Sequence, residues 1–111
     1  MNCNAVNIEF LFWEGCPSHD EALARLRQVM AEEGISSPVE VVEIETEEQA
    51  EAARFVGSPT IRIDGEDIDP PGEGAIYGLT CRAYRHEDGR ITPLPTHNLI
   101  RRALLAAQQP G

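Results

Sequence analysis

Apolar and polar positions along this chain follow two periods, and the changes from one to the other mark its elements. Ile8-Glu9-Phe10-Leu11-Phe12-Trp13 is a short, mostly apolar run of strand-forming residues, which predicts a buried strand. Beyond it Ala22, Leu23, Leu26, Val29 and Met30 recur at the spacing of one helix face. Pro17 suits the first helical position and Gly34 the exit, so Cys16 is expected at or beside the N-cap. Val39 to Ile44 alternates in part and is β-branched, predicting a second strand. Thr46-Glu47-Glu48-Gln49 reads as a capping box, after which Ala50, Ala53 and Arg54 continue a helix that stops before Gly57.

Alternation returns in Thr60-Ile61-Arg62-Ile63, Asp64-Gly65 is a two-residue hairpin signal, and Glu66 to Ile68 is expected to run back as a short strand. Pro70-Pro71-Gly72-Glu73-Gly74 must be a loop. Leu79-Thr80-Cys81-Arg82-Ala83-Tyr84 then alternates, with Cys81 in phase with Leu79 and Ala83, and Asp88-Gly89 offers another turn. Pro95 and Thr96 introduce a last helix whose Leu99, Ile100, Ala103, Leu104 and Ala107 form one apolar stripe, followed by a short polar tail. The order is βαβα, a β-hairpin and a closing helix. It predicts a single α/β domain over residues 1–111, with its core from about residue 6 to about residue 108.

Composition narrows what such a domain does. With a net charge of −10 and no Lys/Arg-rich run, a nucleic-acid partner is not expected, because that affinity comes mainly from cationic groups. The longest apolar stretch falls far short of the roughly twenty residues that cross a bilayer, and Met1-Asn2-Cys3-Asn4 carries no basic leader region. A cytoplasmic protein without a membrane partner is the expectation. Three cysteines cannot all pair within one chain, and cytosolic thiols are kept reduced, so reactive or metal-binding thiols fit better than a disulfide framework. Cys3 reads as a bystander at a frayed tip, or as a thiol that crosslinks two chains. Glu43, Glu45, Glu47, Glu48 and Glu51 read as a solvated charged face without metal-ligand spacing. No nucleotide, flavin or haem motif is present, so no organic cofactor is expected.

The candidate chemistry gathers at Trp13-Glu14-Gly15-Cys16-Pro17-Ser18-His19. A thiol at a helix N-terminus faces unpaired N–H groups and the positive end of the helix dipole, which favour the reactive thiolate. Asp20 and Glu21 in the same turn oppose that charge. His19, three residues on, either shares a side with Cys16 and takes its proton or points to solvent. Trp13 is expected to pack beside the site. Cys81 is either a second thiol for the site or a cysteine facing the core.

The element order, with a cysteine at the first strand-to-helix junction and Ser58-Pro59 before the third strand, resembles the thioredoxin fold. More narrowly, Phe12-Trp13-Glu14-Gly15-Cys16-Pro17, Gly57-Ser58-Pro59-Thr60-Ile61-Arg62-Ile63 and Gly78-Leu79-Thr80-Cys81-Arg82-Ala83-Tyr84 resemble small bacterial thioredoxin-like proteins labelled DF-family (seleno)proteins, some of them labelled alkylmercury lyases. The likeness runs from Ile8 to Ala107 and implies a central mixed sheet flanked by helices, redox or soft-metal chemistry, and a cis Pro59 beside the active thiol. It also implies that the backbone of Ser58 pairs with an extended substrate next to Cys16, with Trp13 nearby.

The chain departs from the Cys-x-x-Cys motif of thioredoxin, since His19 stands at the fourth position and no disulfide can form within the motif. Any resolving thiol must come from elsewhere, and Cys81, following a Pro/Gly loop, is the candidate beside an external thiol such as glutathione. Three functions follow as expectations. In the first, Cys16 attacks a disulfide of a small thiol compound or a protein. In the second, Cys16 and Cys81 bind a soft metal or an organomercurial, with His19 or Asp20 assisting proton transfer. The third is a non-catalytic interaction domain of the same fold.

Overall fold

The computed structural model of the chain describes residues 6–72 and 74–108. Cys3, Glu73 of the expected loop and the tail after Gln108 lie outside the described residues. Strand β1 (Ile8–Phe12) pairs in parallel with β2 (Val39–Glu43) and antiparallel with β3 (Thr60–Ile63). From β3 the chain turns through Asp64 and Gly65 into β4 (Glu66–Asp67), giving a mixed four-stranded sheet in the order β2-β1-β3-β4. Both turn residues have positive φ, 53° and 83°, the requirement of a type I′ hairpin turn that Asp-Gly satisfies. Helices α1 (His19–Glu32), α2 (Glu47–Ala52) and α3 (His97–Gln108) complete an α/β architecture.

Side chains on a strand alternate between faces, so Ile8 and Phe10 point one way and Leu11 the other. Ile8 and Phe10 lie opposite Ile63 and Ile61 of β3 and join the apolar stripes of α1 (Ala22, Leu26, Val29, Met30) and α3 (Ile100, Leu104) in the main core. Leu11, Ile44, Ala50 and Phe55 form a smaller cluster, with Trp13, Ala53 and Leu79 packed on it.

The ends of these elements refine the sequence expectations. The N-cap of α1 is Ser18 rather than Cys16: the Ala22 N–H donates to the Ser18 carbonyl at 3.0 Å, whereas the Cys16 N–H closes a preceding turn onto the Trp13 carbonyl, also at 3.0 Å. Pro17 therefore stands before the cap instead of opening the helix. Gly34, at φ +70°, ends α1 as expected. Thr46 caps α2 by accepting the Gln49 N–H at 3.0 Å, and the Gln49 side chain reaches back to the Glu45 N–H at 2.7 Å. That helix stops at Ala52, short of the expected Arg54, because Arg54 takes a left-handed φ of 54°. The crossed bonds from the Arg54 N–H to Glu51 and the Phe55 N–H to Ala50 close the end. Thr96 precedes α3 and accepts the Leu99 N–H at 3.0 Å.

The largest departure lies between Leu79 and Tyr84. Only Tyr84–Arg85 (β5) is strand; it pairs with β6 (Ile91–Thr92) around Asp88-Gly89 as a ribbon separate from the main sheet. Of the two readings of Cys81, the core-facing one does not hold. Arg82 and Tyr84 are buried, while Cys81 and Ala83 are exposed. No helix among the described residues is long and apolar enough to cross a membrane.

Candidate functional site

At the C-terminal end of β1 the chain leaves the sheet through Trp13, whose N–H donates to Ser58 Oγ at 3.0 Å. The indole of Trp13 lies across Gly15, where a Cβ would collide with the ring. The turn so formed drops Cys16 into the interior, with no exposed surface, where its Sγ donates to the Ser58 carbonyl at 3.5 Å. Such a bond is made by the protonated sulfur. Cys16 thus meets the carbonyl of the loop before β3 rather than the open N–H groups of the first turn of α1.

That loop carries a cis Ser58–Pro59 peptide bond. Gly57 before it has a φ of +134°, and a Cβ there would lie 3.0 Å from the Arg82 Cα and 3.1 Å from its nitrogen, so only glycine fits without a shift. The close neighbour is the segment 78–84, which lies along the loop like a strap. The Gly78 N–H donates to the Phe55 carbonyl at 3.1 Å, the Ser58 N–H to the Thr80 carbonyl at 2.8 Å, and the Arg82 N–H to the Ser58 carbonyl at 2.8 Å. Ser58 and Cys81 thereby form a parallel β-bridge. Both backbone groups of Ser58, expected to face a substrate, pair with the chain itself, and its carbonyl accepts from Arg82 and from Cys16 together.

Side chains hold the strap down. The Arg82 guanidinium is buried, donates to Asp67 Oδ2 at 2.7 Å and to the Asp69 carbonyl, and lies 4.8 Å from the centre of the Tyr84 ring. Burial works against its charge, and Tyr84, Asp67 and Asp69 more than offset that. The Tyr84 hydroxyl, fully buried, donates to the Pro59 carbonyl at 2.7 Å, and burial pushes its ionisation far above the ordinary tyrosine range. The sequence reading passed over Arg82 and Tyr84. Their available signal was an arginine and a tyrosine two apart beyond an Asp67-Ile68-Asp69 pair of carboxylates.

The strap brings Cys81 to Cys16. The Cys81 thiol is pushed above the ordinary thiol range first by its hydrogen bond with the Cys16 sulfur, then by partial burial, then by the charge Cys16 would carry. Both cysteines are free. Two thiols 65 positions apart in sequence thus meet across Ser58 beside Pro59. His19 is placed differently: its ring stacks on Phe12 with centroids 4.5 Å apart, and its Nδ1 lies 3.3 Å from Asp20 Oδ1. Among the described residues no hydrogen bond links it to Cys16. Its electrostatic neighbour is Glu43, whose carboxyl is held above the usual range by desolvation and by the charges of Glu45 and Glu14. Among the described residues no group of three or more His, Cys, Asp or Glu side chains converges as a metal site.

Comparison with models of protein families, with curated proteins and with solved structures finds no match for this chain.

Proposed function

We propose that the chain is a thioredoxin-like thiol–disulfide redox protein whose working couple is Cys16 and Cys81. The observation that carries this reading is the placement of the two free thiols about one residue: Cys81 bridges to Ser58, and the Ser58 carbonyl accepts the Cys16 thiol. The order β2-β1-β3-β4, with one parallel and two antiparallel pairings, and a cis-proline just ahead of β3 support the thioredoxin-like assignment. The reaction transfers two electrons. A substrate disulfide R–S–S–R′ is reduced to two thiols while Cys16 and Cys81 lose two protons and become joined by an S–S bond. Cys81 supplies the thiol that His19 displaces from the thioredoxin motif, and an external dithiol would reset the pair.

Mild oxidation of the purified protein followed by peptide mass mapping is expected to yield a Cys16–Cys81 disulfide. Cys16→Ser is expected to stop the reaction at a mixed disulfide, with no internal S–S bond formed. Mild oxidation that never joins Cys16 to Cys81 would refute the reading.

The same placement favours one further reading, the capture of a soft cation or an organomercurial. Thiolates select such ions, and linear coordination needs only two sulfurs. Titration with Hg²⁺ is then expected to consume both thiols at one ion per chain, and Cys81→Ala to weaken binding.

A further inference from the structure

The two sulfurs are unequal in access. Cys16 has no exposed surface and bonds the Ser58 carbonyl, on the residue with which Thr80 and Arg82 pair, whereas Cys81 stands exposed with Ala83. Building on the dithiol reading above, we infer that Cys81 makes the first attack on the substrate disulfide and that Cys16 resolves the product from within. This reverses the order that the position of Cys16 after β1 suggests. An exposed first thiol is open to polypeptide disulfides as well as small ones.

Attack by Cys16 on an outside disulfide would require residues 80–82 to lift. That breaks the Ser58–Thr80 and Arg82–Ser58 backbone bonds, and it pulls on the Arg82–Asp67 ion pair and on the bond from the Tyr84 hydroxyl to Pro59. Attack by Cys81 requires no opening. Its handicap is a raised thiol pKa, and each unit of pKa costs about tenfold in thiolate. Higher pH relieves that handicap, while the closed strap bars Cys16 at every pH.

The steps balance. The Cys81 thiolate, formed by loss of its proton to water, bonds one sulfur of R–S–S–R′, and R′S⁻ leaves and is protonated. Cys16 then gives up its proton, and its sulfur attacks the neighbouring Cys81 sulfur. The Cys16–Cys81 bond forms as RS⁻ departs and is protonated, and both electrons have passed to the substrate.

Glutathione disulfide is the probe, applied to chains carrying Cys3→Ser so that two thiols remain. Cys16→Ser is expected to accumulate one glutathione on Cys81 at about the rate at which the two-thiol parent loses its first thiol. Cys81→Ser is expected to take up glutathione on Cys16 slower than that by about a hundredfold, the penalty of a local opening. Equal or faster uptake on Cys16 would overturn the inference. If either variant loses its fold by circular dichroism, the order is read on the parent with a brief N-ethylmaleimide pulse, acid quench and peptide masses. Label arriving first on Cys81 supports the inference, and first on Cys16 overturns it. Failure of the dithiol reading looks different: Cys81 still reacts first, yet mild oxidation produces no Cys16–Cys81 bond.

Discussion

Single residues around Ser58 are fixed by contacts that leave little freedom. Gly57 combines a φ of +134° with an Arg82 backbone only 3.0 Å from where a Cβ would stand. Gly57→Ala is therefore expected to lower stability by about 1–3 kcal/mol, measured by urea unfolding, and to loosen the strap in the same step. Cys16 and Pro59 were legible in the sequence because each sits in a short motif at an element boundary. The proposed pairing of His19 with Cys16 assumed helical spacing between them, but α1 begins at His19, so that geometry does not apply across residues 16–18. The imidazole follows its nearest partners instead, the Phe12 ring and the Asp20 carboxylate.

The regular elements were readable from periodicity, since each helix buries one stripe and the central strands alternate between two packed faces. The segment 78–84 was not. Alternation predicts which residues share a face but not which face turns inward, and here a salt bridge and a tyrosine hydroxyl decide it. An arginine would ordinarily be placed outside, yet Arg82 is buried because Asp67, itself only 12 % exposed at its side chain, and the Asp69 carbonyl receive its donors. Arg82→Met keeps the bulk and strands the Asp67 carboxylate. It is expected to cost about 3 kcal/mol and to speed hydrogen exchange at the Ser58 and Arg82 amides well beyond exchange in the main core. Unchanged exchange at those two amides would show that the strap does not depend on the ion pair.

Across the whole molecule, Tyr84 and Cys81 give stability a common pH dependence. Both hold their protons more tightly folded than unfolded, Tyr84 chiefly through burial and Cys81 chiefly through the neighbouring Cys16 thiol. Their contribution is complete below their ordinary values of 9.0 for the thiol and 10.0 for the phenol, and it is lost as pH rises through and beyond them, because the unfolded chain ionises first. Urea midpoints of the reduced protein are expected to fall from about pH 9 upward. Tyr84→Phe is expected to flatten the part of that fall above about pH 10. One carbonyl oxygen joins this chemistry to the fold, since Ser58 O accepts both the Cys16 thiol and the Arg82 amide. An acceptor shared by two donors polarises each less than it would one alone. When Cys16 turns its sulfur toward a disulfide, the Arg82 amide keeps that oxygen for itself, and its proton resonance is expected to move downfield. Oxidation of Cys16 by the proposed couple would thus be followed by NMR at a nitrogen outside the two thiols.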